Sequence, residues 1–302
     1  YTHRTAQRAA DMIFDVSHRT HYRYTVPVVQ SQHLIHMSPR VIARQTIRNH
    51  SLIVEPAPAL RYDGVDALGN PVLILDIERP HKELVIHART TIETHAVPEI
   101  DAASSTPWDA LDTQFLASGG PLPLDVIMYR CASRLTTATR EIADYAKVSF
   151  TPGRPVLDAS IALSNRIFAE FKFDNTATDL STPISVVLRE RRGVCQDFAH
   201  LALACLRAMR VPARYVSGYI LTHPPAGQPR LQGADASHAW ISVWSPEFGW
   251  IDLDPTNGIV VSDEHITIAY GRDYDDVSPI SGVLLGGGEH DVHVGVDVIP
   301  VE

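Results

Sequence analysis

The stretch RRGVCQDFAHLALACLRAMR, residues 191–210, leaves the chain little conformational choice. Gly193 stands before it, and Val211-Pro212 after it forbids helical continuation, because a proline pushes its predecessor out of the helical region. Between these limits the apolar residues recur at helical spacing. Counting about 100° per residue from Cys195, Phe198, Ala199, Ala202, Leu203, Leu206 and Met209 fall within about 80° of it. A helix striped in this way needs a core to face, and Cys195, in its first turn, begins the stripe. A thiol in that position meets the positive end of the helix dipole, which favours thiolate over thiol. A free cysteine is equally at home as a small core hydrophobe. On this segment alone the two readings weigh the same, and partners from elsewhere in the chain must decide.

The segments around this helix indicate an α+β chain. Residues 12–97 alternate apolar and polar positions in MIFDVSHRTHYRYTVPVV, TIRNHSLIVEP, VLILDIE and ELVIHARTTIETHAV, with turns at Tyr62-Asp63-Gly64 and Leu68-Gly69-Asn70-Pro71. Short period-2 runs between such turns predict an antiparallel β-sandwich of roughly seven strands. Residues 98–123 shift to Asp, Ala, Ser, Thr and Pro around Gly119-Gly120-Pro121 and read as a linker. Helical spacing then marks 124–147, 155–171 and ISVVLRERR after Thr182-Pro183. Beyond the Cys195 helix the chain returns to strands, in ARYVSGYIL, SHAWISVW, WIDLDPTNG, IVVSDEHITIAYG and DVHVGVDVIPV. The division expected is therefore a β domain over 12–97, a linker over 98–123 and a core over 124–302 that ends in strands. The polar opening YTHRTAQRAAD is set aside from the fold.

Composition excludes several classes of function. A formal net charge of -9 with mixed signs leaves no basic stripe for nucleic acid or an anionic membrane. No apolar run reaches spanning length. The three cysteines, Cys131, Cys195 and Cys205, build no disulfide framework, since Cys195 and Cys205 lie about 15 Å apart along one helix. CxxC and HExxH spacings are absent, so no metal or other cofactor is expected. Reduced thiols without an export signal point to the cytoplasm. Oligomeric state is not legible.

A nucleophilic cysteine needs a base, and the base needs a group to orient it. His200 is nearest in sequence but lies about 140° round the helix from Cys195, so it points elsewhere. His238 fits better. His238, Trp240, Ser242 and Trp244 share one strand face, as do Trp250, Asp252 and Asp254 on the next. A hairpin across Ser245–Gly249 that pairs Trp244 with Trp250 sets Trp240 opposite Asp254, and His238 diagonal to Asp254. A slip of one residue would break the arrangement. Asp252 has the same parity and competes with Asp254, which is preferred because it stands at the strand end before Pro255-Thr256-Asn257-Gly258.

GVCQDFAHLALACLRAMRVPARYVSGYI, ASHAWISVW and GWIDLDPTNG together, in the order Cys, His, Asp, closely resemble the core of the bacterial transglutaminase-like superfamily. An N-terminal β domain also precedes the core in bacterial members. The resemblance implies a papain-like core of helices packed on an antiparallel sheet, with Cys195 matching the nucleophile, His238 the base and Asp254 the residue that orients the imidazole. Gln196, Asp197 and Trp240 become candidates for substrate contact, capping or support of the site. Members include cross-linkers, amidases, peptidases and inactive relatives. The implied chemistry is acyl transfer from a peptide or protein amide through a thioester, with hydrolysis expected. Protein-glutamine cross-linking and a non-catalytic binding module are the alternatives. The calcium used by animal relatives has no EF-hand-type loop here. The loop from His223 to Asp235 is a candidate wall of the cleft.

Overall fold

The computed structural model describes residues 11–117, 123–222 and 237–301. The first ten residues, Gly119-Gly120-Pro121 and the loop from His223 to Asp235 lie outside these.

The long strand β1 (Met12–Ile35) organises the first sheet, which also contains β2 (Gln45–Glu55), β3 (Leu60–Val65), β4 (Pro71–Ile77) and β5 (His81–Thr94). The first half of β1 pairs antiparallel with β5, and its second half pairs with β4. The two halves face each other across a core of Val28, Ile35, Leu73, Leu75 and Ile77 on one side and Leu52, Leu84 and Ile86 on the other. This is the sandwich that strict period-2 alternation requires, because each strand has one apolar face to hide.

Residues 98–117 are more ordered than a linker. They form two 3-10 turns and helix α1 (Leu111–Ala117), and Leu111 and Phe115 are buried in the main core. Composition obscures this because the anchors, Trp108, Leu111 and Phe115, stand among small polar residues. The helix expected over 124–147 is broken into α2 (Leu124–Met128) and α3 (Arg140–Lys147), and the Thr139 side chain caps α3 by accepting from the Ile142 N–H. Next come α4 (Val156–Glu170), β6 (Lys172–Phe173), α5 (Ile184–Glu190), β7 (Arg192–Gly193) and α6 (Cys195–Ala208).

The second sheet has the order β11-β10-β9-β8-β12, built from β8 (Ala213–Ile220), β9 (Ser237–Ser245), β10 (Gly249–Asp254), β11 (Ile259–Val260) and β12 (His265–Gly271). One face of this sheet, including Tyr215, Ala239, Ile241, Val243 and Ile266, packs on α6. The opposite face carries Val216, Trp240 and Tyr270 and is covered by the β domain.

The last strands, β13 (Ile280–Gly286) and β14 (His290–Val301), pair with β1 in the first sheet, not with the core sheet. The core boundary drawn at residue 302 from sequence is thereby corrected. Alternation shows that these residues are strands but not which distant edge they join. Through this return, Val296 and Val298 join Phe14, Val16 and Ile92 in the same apolar cluster as α6.

The exposed edge of β12 is closed by two side-chain amides from the β domain. Gln45 donates to the Thr267 carbonyl at 2.8 Å and accepts from the Thr267 N–H at 3.0 Å. Asn70 does the same for Tyr270, at 2.9 and 2.8 Å. A bulge between Thr267 and Ala269 accounts for the odd spacing of the two outward-facing residues. An open sheet edge is a liability, and here the β domain occupies it.

Candidate active site

The start of α6 is fixed on both sides. β6 and β7 run parallel for two residues, and the Asp174 N–H donates to the Gly193 carbonyl at 2.9 Å. The Asp197 carboxylate turns back to accept the Val194 N–H at 2.8 Å and the Thr178 hydroxyl at 2.6 Å. Glycine at position 193 makes room for this cap, because a Cβ there would meet Asp197 Oδ2 at 2.7 Å and push the carboxylate aside. Asp197 therefore caps the helix and ties it to the 174–178 loop. Burial raises its pKa, and the two hydrogen bonds work against that rise. Gln196 lies half-buried at a hollow of about 320 Å³ beside α6, with Thr139, Thr182 and His200. Cys195 itself is half-buried, and as a first-turn residue its N–H has no intrahelical acceptor.

The hairpin register places the other two candidates together. Trp250 pairs with Trp244 and Asp252 with Ser242. His238 Nε2 lies 2.8 Å from Asp254 Oδ2, and the same imidazole hydrogen-bonds Cys195. With Nε2 committed to Asp254, Nδ1 is the nitrogen left for the sulfur. Asp254 is fully buried. Its Oδ1 accepts the N–H groups of Thr256 and Asn257, and its Oδ2 accepts the Asn257 amide at 2.7 Å. The turn after Asp254 thus holds the carboxylate rigidly.

A further residue, not singled out from sequence, completes the cluster. His265, on β12, sets its Nε2 3.1 Å from Asp254 Oδ2 and has no solvent exposure of its side chain. Burial depresses its pKa more than Asp254 restores it, which favours the neutral ring. The neutral tautomer that donates from Nε2 leaves a bare lone pair on Nδ1, which has no partner. Trp240 sits edge-on to His265, with ring centroids 5.2 Å apart, and tilted against His238 at 6.0 Å. Its Nε1 donates to Asp252, which also pairs with Arg44 of the β domain at 3.1 Å. Asp252, the competitor for orienting His238, is thus engaged elsewhere. Gly218, opposite His238, allows this packing, since a Cβ there would lie 2.5 Å from the Trp240 ring and 2.0 Å from the Ile266 carbonyl oxygen.

The electrostatics follow from these contacts. Burial alone would lower the His238 pKa, but hydrogen bonds to Asp254 and Cys195, together with their charges, raise it to about 10. Burial likewise opposes ionisation of Asp254, and the two histidines overcome it and hold the carboxyl well below the usual range. The imidazole is therefore held between a carboxylate and a sulfur, both of which favour its protonated form. His200 is separate. Its Nε2 accepts the Tyr274 N–H, and burial lowers its pKa to about 4.

Among the described residues, His238, Asp254 and His265 form one of two clusters with metal-ligand chemistry, the other being Asp11, Glu93 and His95. In the first, the Nε2 atoms of His238 and His265 both lie at hydrogen-bond distance from one carboxylate oxygen, Asp254 Oδ2, so the three side chains satisfy one another directly. No helix among the described residues is long and apolar enough to cross a membrane.

Residues 14–93 match the bacterial transglutaminase-like N-terminal region, and residues 143–255 match the transglutaminase-like superfamily. Uncharacterised proteins of Mycobacterium tuberculosis and Mycobacterium bovis are 39% identical over 297 residues, covering 96% of this chain and 93% of theirs. A protein-glutamine gamma-glutamyltransferase of Pseudomonas aeruginosa is 42% identical over 67 residues, 22% of this chain and 10% of that protein. The crystal structure of a proposed cysteine protease from Cytophaga hutchinsonii superposes with a TM-score of 0.74 at 21% identity, covering 97% of this chain and 93% of that one. The matched segments contain both the β domain and the Cys195 core, and the chain belongs to the transglutaminase-like superfamily.

Proposed function

We propose that the protein is a cysteine-dependent acyltransferase acting on peptide or protein amides, with water as the usual acceptor. The observation that carries this reading is the single imidazole shared by Asp254 and Cys195, with its pKa raised to about 10. An imidazolium beside the sulfur supplies the counter-charge that a thiolate nucleophile needs. Cys195 Sγ attacks the amide carbonyl carbon, and the oxygen takes the negative charge next to the Cys195 N–H at the positive end of α6. As the C–N bond breaks, His238 gives its proton to the departing amine, leaving a thioester. His238, now neutral, takes a proton from water as the hydroxide adds to the thioester carbon; the C–S bond breaks, Cys195 leaves as thiolate beside the reprotonated His238, and the released acid gives its proton to solvent. Asp254 keeps the ring in the tautomer and orientation that both proton transfers use.

An amine in place of water would make the same thioester a cross-linking intermediate. The short similarity to a protein-glutamine gamma-glutamyltransferase favours keeping this second reading. A library of glutamine-containing peptides, incubated with and without a primary amine and followed by mass, separates the two. Products that gain the mass of water across a cleaved amide, or lose ammonia to give glutamate, support hydrolysis. Amine adducts in excess of hydrolysis products would replace it with cross-linking, and unchanged peptides would count against both.

A further inference from the structure

The face of the core sheet turned toward the β domain contains a cleft of about 390 Å³ that includes none of Cys195, His238 or Asp254. Three arginines stand in or beside it, and they are not equivalent. Arg44 is neutralised by Asp252 and also donates to Thr267 Oγ1. Arg40 donates to the Leu68 carbonyl and to Asn70 Oδ1. Among the described residues Arg214 has no such partner. Its guanidinium carbon lies 3.5 Å from the Tyr270 ring centroid and 4.3 Å from that of Trp250. Its Nε, like those of Arg40 and Arg44, is buried without an acceptor, and what sets it apart is that among the described residues no side chain or carbonyl takes its guanidinium in a hydrogen bond or ion pair.

The rings govern what Arg214 can still bind. With its faces against Tyr270 and Trp250, the guanidinium can engage a partner only through its edge, and that fork matches a carboxylate in bidentate geometry. The remaining walls are largely aliphatic. A second hollow of about 300 Å³ shares Val97, Val260 and Val261 with the first and continues past Ile100 toward Ile161, and because Glu99 and Asp263 also line it, the carboxylate end of a ligand belongs at Arg214 and not here. With Arg44 and Asp252 cancelling each other, Arg214 offers one positive charge, which balances a single carboxylate but not a doubly charged group such as phosphate. We propose that this seam binds an aliphatic chain ending in a carboxylate, with the carboxylate on the edge of Arg214 and the apolar part along Val97 and Val260. The free acid and the C-terminal residue of a peptide share this chemistry.

Calorimetric titration of the full chain tests the assignment. Octanoate represents the free acid and N-acetyl-valyl-leucine the peptide terminus, and octanol and the peptide amide are their neutral counterparts. At least one carboxylate should bind saturably and about tenfold or more tighter than its neutral counterpart, the difference expected for a charge-assisted bidentate pair. Which one does so identifies the source. Arg214→Gln should abolish the preference, and Arg214→Lys, which keeps the charge but loses the fork, should weaken it. Neutral and charged probes binding alike, no saturation by either carboxylate, or a preference that survives in a folded Arg214→Gln would each overturn the proposal. The first two comparisons use the unsubstituted protein, so the proposal can be refuted even where a variant fails to fold.

Discussion

His238 lies between a sulfur and a carboxylate, and its charge couples catalysis to stability. Its folded pKa is raised to about 10, so its contribution to stability is complete below its ordinary value near 6.5 and disappears as pH rises through about 10. His18 and His200 have the opposite sign. Burial lowers both to about 4, so between about 4 and 6.5 the unfolded chain binds protons that the folded chain refuses, and stability falls as pH falls through that window. We therefore expect a stability maximum near pH 6.5 in thermal melts. His238→Ala should flatten the alkaline limb and His200→Gln the acid limb, and a curve flat from about pH 4 to 10 would contradict both assignments. Gly218→Ala is a steric test at the same scale. The added methyl collides with a backbone carbonyl and the Trp240 ring, so a loss of about 2 kcal/mol or more and a slower Cys195 are expected from melts and alkylation rates.

Elements explain why some partners are visible in the sequence and others are not. His238 and Asp254 lie on adjacent strands joined by a short hairpin, where parity alone brings them to one face. His265 comes from β12, which lies beyond β8 and carries a bulge that resets its parity, so no periodicity connects it to Asp254. The stripe on α6 is legible but understates the result, since every residue from Asp197 to Arg207 is buried, with helices on one side and the sheet on the other. Removing the extra support for Asp254 gives a direct test. His265→Ala should cost about 2–4 kcal/mol, through a cavity and a carboxylate with one donor fewer, and should shift the pH profile of Cys195 alkylation. A profile identical to that of the unsubstituted protein would reduce His265 to core filling.

At the scale of the molecule, the β domain and the core are joined by closure of the chain. β14 returns to β1, and Gln45 and Asn70 occupy the edge of β12. Alternation identifies the strands of both sheets, yet long-range pairing and side-chain closure of an edge leave no local pattern. A calorimetric scan should therefore show one cooperative transition. Gln45→Ala, which bares the Thr267 backbone groups, should destabilise the fold by about 1–3 kcal/mol and lower the midpoint accordingly. Two separated transitions would mean that the domains are independent.

The three cysteines provide an internal comparison for the central claim. Cys131 is exposed, Cys195 half-buried and Cys205 buried, so accessibility alone ranks Cys131 first for alkylation. Limiting iodoacetamide near neutral pH, followed by mass mapping of the modified residues, measures the actual order. We predict that Cys195 is modified about tenfold or more faster than Cys131, and that His238→Ala restores the order set by exposure. Cys131 reacting first in the unsubstituted protein, or a ratio unaffected by His238→Ala, would contradict the assignment of Cys195 as an activated nucleophile.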